Sequence, residues 1–181
     1  MNEWQHALPV YRSDHLTLRE IEIQDAESLA HHLAHDDVTR HISPPPTTLA
    51  AIEHWIERAR AKRRDGVRVC FAIVPQAKPA GGFIQFWRLP DADDAWGIGF
   101  VLGREHWGTG IFGEAARAAL GIAFSTLEAK RIEAICLVAN HRGNRALEKL
   151  GAVHIGIALQ TADPDGNIGD YKKWEFHKKS Y

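Results

Sequence analysis

Apolar residues alternate at Leu16 and Leu18 and, after one slip, at Ile21 and Ile23, which predicts a strand over residues 16–23. Asp25 then stands as a candidate N-cap for a helix running to about Asp36. Pro44, Pro45 and Pro46 make a stiff loop, after which Ile52, Trp55, Ile56 and Ala59 recur at helical spacing. That segment closes with Arg60, Lys62, Arg63 and Arg64 before Gly66, a cationic last turn followed by a stop signal. Residues 67–74 and 81–87 are β-rich runs with a short connection, so they predict a hairpin. Residues 96–102 (WGIGFVL) form a further strand whose two glycines mark a bulge or the close approach of another backbone.

Ala116, Leu120, Ala123 and Leu127 share one face of a helix over residues 114–127, and residues 132–139 are almost continuously apolar, as a buried strand is. Strand, helix and buried strand make one βαβ unit. A short helix over 142–150 is closed by Gly151, and strands over 153–159 and 169–176 flank the turn-forming Asp163, Pro164, Asp165, Gly166 and Asn167. The order predicts an α+β sandwich in one domain over residues 1–181.

Composition narrows the partners. The chain carries 22 Lys+Arg against 23 Asp+Glu, so it lacks the broad basic surface that a nucleic-acid or anionic-membrane partner needs. Neither a signal-peptide core nor an apolar run of membrane-spanning length is evident. Cys70 and Cys136 each sit inside an apolar run, the setting of a buried thiol, and two lone cysteines make no disulfide framework. A reducing, cytoplasmic location is expected.

The chemical signal is the segment 106–113 (HWGTGIFG), where Gly108, Gly110 and Gly113 stand as G-x-G-x-x-G between a strand and a helix. Without Cβ atoms the backbone turns tightly and aims consecutive N–H groups at one point, and the helix dipole adds positive potential there. Such a turn holds a pyrophosphate, although glycines also serve simply to enter a helix. A dinucleotide fold wants an acidic residue at the end of the next strand, and here that strand ends Val138, Ala139, Asn140 with little chain left for further βα units. Coenzyme A is the better match.

At these residues the sequence resembles the GNAT acetyltransferases, and within them the RimJ/RimL-like branch. Residues 16–19 with Asp25 resemble that family's opening strand and helix, 98–102 its fourth strand, 107–115 (WGTGIFGEA) its pyrophosphate loop, and 140–152 (NHRGNRALEKLGA) its second signature. The resemblance implies a mixed, mostly antiparallel central sheet with helices on both faces, in which the fourth and fifth family strands begin paired and then splay. It implies a pantetheine arm bonded to the strand edge at Phe100, Val101 and Leu102. The pyrophosphate would sit on the loop formed by Trp107, Gly108, Thr109, Gly110, Ile111, Phe112 and Gly113. Asn140 would reach the arm near the thioester while serving as a helix N-cap, and Arg142, Asn144 and Arg145 would reach the arm or the nucleotide. The implied co-substrate is acetyl-CoA, and the implied reaction is N-acetylation of a protein N-terminal amine or a small amine by direct attack, without metal.

The departures fall where an acid and a base belong. Many members carry a Glu at the position of Gly97, a tyrosine acid at that of Leu147, or a serine at that of Gly143. The candidates left are Asp163, near where RimL-like enzymes place a carboxylate but also a natural turn former, with Glu105, His106, Asp93 and Asp94. These gaps leave open a non-catalytic acyl-CoA-binding module as an alternative to an enzyme, with a dinucleotide-binding oxidoreductase as a remoter one. Glu114 fits a helix-start carboxylate. His31 and His35 have a spacing that can ligate zinc, but no third ligand is evident and no metal is expected. The acidic loop of Asp91, Asp93 and Asp94 suits either a cationic amine or solvent, and the late hairpin offers an edge through which two copies could pair as a homodimer.

Overall fold

The computed structural model describes residues 2–90, 94–163 and 165–178. Its helices are α1 (Glu3–His6), α2 (Ala26–Leu33), α3 (Asp36–Thr39), α4 (Leu49–Arg64), α5 (Ile111–Ser125) and α6 (His141–Lys149). The strands are β1 (Tyr11–Arg12), β2 (Leu16–Glu20), β3 (Arg68–Pro75), β4 (Gly82–Arg88), β5 (Ala95–Leu102), β6 (Arg131–Leu137), β7 (Val153–Ala162) and β8 (Ile168–His177). They form one sheet in the order β1-β2-β3-β4-β5-β6-β8-β7, antiparallel throughout except for the pair β5–β6. The mixed α+β architecture expected from the sequence is the one observed.

Period-2 alternation divides the core into two layers. Val69, Phe71 and Ile73 of β3 face Ala116, Leu120, Phe124 and Leu147, which belong to α5 and α6. Cys70 and Ala72 face the opposite side, with Leu29 of α2 and Ile52 and Ile56 of α4. The parallel pair β5–β6 covers only Ala95–Arg131, Trp96–Ile132 and Gly97–Glu133. Beyond that point each strand follows its other neighbour, β5 staying with β4 as far as Leu102 and β6 with β8 as far as Leu137. A gap therefore opens between them.

Several local expectations are corrected. The first strand stops at Glu20, and the helix expected from Asp25 to Asp36 is a 3-10 turn (Ile23–Asp25) followed by α2 and α3. Asp25 does not cap α2 with its side chain. It is buried, and its oxygens accept from the Arg19 guanidinium at 2.8 and 2.7 Å and from the Glu22 amide at 2.9 Å. A buried carboxylate takes a charged, bidentate partner in preference to a helix amide. At the N-terminus α1 buries Trp4 edge-on against Trp96, 5.9 Å away, a contact that local periodicity could not announce. Asp91 and Asp93 lie outside the described residues, and Asp94 is paired with Lys130 at 2.7 Å.

Candidate active site

The glycine segment connects β5 to α5. A 3-10 turn (Arg104–His106) follows β5, then Gly108 and Gly110 adopt φ of +76° and +88°, conformations that only glycine takes without strain. Gly110 is the N-cap of α5, which begins at Ile111, three residues earlier than the apolar pattern alone predicts. The Trp107 indole donates to the Leu102 carbonyl at 2.9 Å, and the Thr109 hydroxyl to the His106 carbonyl at 2.7 Å, so side-chain bonds fix both ends of the turn. The amides of Gly108, Gly110, Phe112 and Gly113 donate to no described residue, and Glu114 makes the first helical bond, to Gly110. A Cβ on Gly108 or Gly110 would meet nothing within 4 Å, so the space above the turn is open. These are the conditions for an anion site at a helix start.

The strand edge lies next to this turn. From Ile98 onward β5 has no partner on the side facing β6 among the described residues. Phe100 stacks at 4.6 Å on Phe112, joining strand to helix, and Val101 is buried in the layer beneath α2 and α4. The Leu102 carbonyl is already taken by Trp107 and Val101 is bonded in register with Phe83 of β4, which leaves the Phe100 backbone as the free stretch of edge.

Across the gap, Asn140 caps α6, its Oδ1 accepting from the Gly143 amide at 2.9 Å. Asn144, expected to reach the ligand, is buried and structural: Nδ2 donates to the Leu137 and Asn140 carbonyls, both at 2.9 Å, and Oδ1 accepts from the Trp174 indole at 3.0 Å. Arg145 is exposed on α6. Arg142 stands 3.3 Å over the Trp107 ring and so bridges the gap from α6 to the glycine turn. A Cβ on Gly143 would come within 2.6 Å of Asn140 Nδ2 and 2.8 Å of Cys136 Sγ, so the capping arrangement itself excludes a serine there. Leu147 belongs to the core.

A cleft of about 560 Å³ flanks the gap, with Trp87, Glu133, Ile135, Asp163, Tyr171 and Lys173 in its wall. Asp163 is the hub of the β7–β8 turn. Its Oδ1 accepts from the Asp165 and Asn167 amides, and its Oδ2 from Asn167 Nδ2, the Ser43 hydroxyl and the Tyr171 hydroxyl. Burial pushes its carboxyl up, but the bonds from Asn167, Asp165 and Ser43 outweigh that and hold it below the ordinary range. It is a weakened base and a turn former. Burial, with the Asp163 charge next, raises Tyr171. Glu133 is the carboxylate in register with Gly97 where the strands part, and it pairs with Arg131 at 2.9 Å. Periodicity did not single it out, because its significance lies in pairing.

A second cleft of about 630 Å³ lies at the other end of the turn, where Lys78, Arg117 and His15 surround Thr109 and Gly110. Glu114 accepts from the Tyr11 hydroxyl at 3.4 Å and meets His15 Nδ1 at 2.9 Å, tying the N-terminal segment to α5. His106 is buried, which lowers its pKa despite the nearby Glu105 charge. Cys136 is buried as well, and its thiol is pushed up to about 11.

A family model described as the acetyltransferase (GNAT) domain matches residues 15–153. The chain is similar to the "Uncharacterized N-acetyltransferase p20" of Bacillus licheniformis, with 26% identity over 171 residues, covering 93% of this chain and 96% of that one. It is similar too to the "Uncharacterized N-acetyltransferase YoaA" of Bacillus subtilis (strain 168), with 29% identity over 168 residues, 90% of this chain and 93% of that one. Its fold is similar to that of RimL, the ribosomal L7/L12 alpha-N-protein acetyltransferase solved with coenzyme A. The TM-score is 0.83 at 16% identity, covering 96% of this chain and 100% of that one.

Proposed function

The chain belongs to the acetyltransferase (GNAT) family, and from that premise we propose that it transfers an acetyl group from acetyl-CoA to a primary amine, by direct attack within a ternary complex. The parting of β5 from β6 beyond Gly97 and Glu133, with glycine-turn amides at its mouth that donate to no described residue, carries this reading. Phe100 offers the edge to which an amide-bearing arm adds as a strand does. Gly108, Gly110, Phe112 and Gly113 receive the pyrophosphate with backbone N–H groups, and Lys78 and Arg117 supply cationic charge beside it. The relatives named as N-acetyltransferases and the RimL-like fold support the same assignment.

The thiol inventory supports direct attack. An acyl-enzyme on cysteine needs a thiolate, and Cys136, at the end of β6, stays protonated at neutral pH because burial pushes it up to about 11. The residues around the gap therefore act chiefly by holding amine and thioester together, which can supply about 7–11 kcal/mol. Glu133 receives the proton of the incoming ammonium, directly or through water, since it lines the cleft where the strands part. The cleft admits a small amine or the first residues of a peptide, the acceptor of the RimJ/RimL branch.

Isothermal titration with acetyl-CoA, followed by thiol release against a panel of small amines and N-terminal peptides, tests the proposal. Stoichiometric binding with amine-dependent thiol release is expected; no binding at millimolar acetyl-CoA refutes it. A second reading, an acyl-CoA-binding module without turnover, is favoured by the tryptophan over Gly97 and the core position of Leu147. Binding without thiol release from any acceptor would select it.

A further inference from the structure

Behind the glycine turn, ring nitrogens of His31 and His32 and a carboxylate oxygen of Glu105 lie within 4.8 Å of one another. We propose that these three side chains bind one divalent transition-metal ion, zinc being the best match. Two imidazoles and a carboxylate make a three-ligand zinc set that leaves a fourth position open. The absence of a thiolate argues against cuprous or iron–sulfur chemistry, and the two nitrogen donors argue against calcium and magnesium. Zinc bonds of about 2.0–2.2 Å place tetrahedral donor atoms roughly 3.3 Å apart, so the outermost pair has only about 1.5 Å to close.

The surroundings allow that closure. His32 is the fixed ligand: it is buried, its ring lies against Gly103, where a Cβ would fall 2.4 Å from Nδ1, and it is hydrogen-bonded to the Ala80 backbone. His31 and Glu105 are exposed and free to turn toward it. His106 Nε2 stands 3.1 Å from Glu105 Oε1 and orients the carboxylate, the kind of outer contact that sharpens metal sites. His35, whose ring is 5.3 Å from that of His31, is within reach as a fourth ligand. Sequence spacing suggested His31 with His35 and no third donor; the fold brings Glu105 in from the 3-10 turn after β5.

The ion would join the last turn of α2 to the 3-10 turn Arg104–His106, which runs directly into Trp107 and the glycine turn. Arg104 and Asp37 of α3, 3.3 Å apart, link the same 3-10 turn to the helix that follows α2. The site is thus a clip that steadies the approach to the anion-binding amides, and metal binding itself does not depend on the acetyl-transfer reading.

The untagged full-length chain, stripped with chelator and dialysed, would be titrated with zinc against a chromophoric indicator and with Co²⁺ read by its visible absorption. One equivalent should bind with a dissociation constant of about a micromolar or tighter, with the intensified Co²⁺ bands of tetrahedral nitrogen–oxygen ligation and a higher Tm at saturating zinc. The exposed changes His31→Ala and Glu105→Gln should each weaken binding by roughly ten-fold or more, whereas His54→Ala on α4 should leave it unchanged. Zinc affinity weaker than about 0.1 mM, or equal affinity in the His31→Ala/Glu105→Gln double variant, would overturn the proposal.

Discussion

The indole of Trp87 fills the space that a side chain at residue 97 would need: a Cβ on Gly97 would fall 2.3 Å from Trp87 Cε2 and 2.5 Å from Nε1. The ring also covers Gly99, and the Arg68 guanidinium lies 5.5 Å from its centroid. Glycine at the parting point is therefore half of a packing pair.

Gly97→Ala should destabilise the fold by about 1–3 kcal/mol, the usual cost of overpacking where the neighbour is a ring held on both sides. In the Trp87→Ala background the same change should cost much less, because the clash is gone. Urea denaturation of both single variants and the double variant measures the coupling, and additive free energies would show that the two residues do not share the space.

Much of this arrangement was legible in the chain, and the parts that were not share a cause. The glycine turn, the βαβ unit and the late hairpin are local patterns, so 107–115 and 132–139 announce them within a dozen residues. Trp4 against Trp96, Ser43 against Asp163 and Glu105 beside His32 are long-range pairings. No window along the sequence contains both members of any of them. Asp163 illustrates the consequence: its sequence neighbours mark it as a turn former, while only the fold shows Ser43 and Tyr171 completing its bonds, Ser43 adding to the Asn167 and Asp165 bonds that lower its basicity.

Gly110 sits at φ +88° with open space above it, so Gly110→Ala should cost only about 1 kcal/mol of stability, from backbone strain. Coenzyme A affinity should fall by more than that strain accounts for, since a methyl group would stand where the pyrophosphate is proposed to approach. Thermal melts and isothermal titration on the same samples separate the two effects. Equal losses in both would remove the turn from the binding site.

Arg19 is the sole charged partner at bonding distance for the buried Asp25 among the described residues, through two hydrogen bonds. Arg19→Ala leaves a carboxylate uncompensated at 3% exposure and should cost about 3–5 kcal/mol. Arg19→Ala/Asp25→Asn should recover part of that loss. The midpoints of urea denaturation test both expectations.

Cys136 gives the alkaline limb of stability its sign. Its thiol ionises at about 11 in the fold against an ordinary 9.0, so the native state holds the proton more tightly than the unfolded chain does. Its contribution is therefore complete below pH 9 and is lost as the pH rises from there towards about 11. Cys70, fully buried and raised further, acts in the same direction. Cys136→Ala should flatten part of the decline between those pH values while leaving any acetyl transfer intact, as direct attack requires. Loss of turnover in a folded Cys136→Ala protein would instead indicate a covalent intermediate.

Two carboxylates line the cleft, and their bonding separates their roles. Asp163 spends both oxygens on the β7–β8 turn and the Ser43 loop, so Asp163→Asn replaces one acceptor with a donor facing Asn167 Nδ2 and should act mainly on stability and KM. Glu133 is bonded to Arg131, which also has Glu175 3.6 Å away, so its removal leaves the arginine partnered. Glu133→Gln should lower kcat by roughly 10²-fold with little change in KM or in Tm. If Asp163→Asn instead lost kcat in a folded protein while Glu133→Gln kept it, the proton would leave through the turn and the assignment to Glu133 would fail.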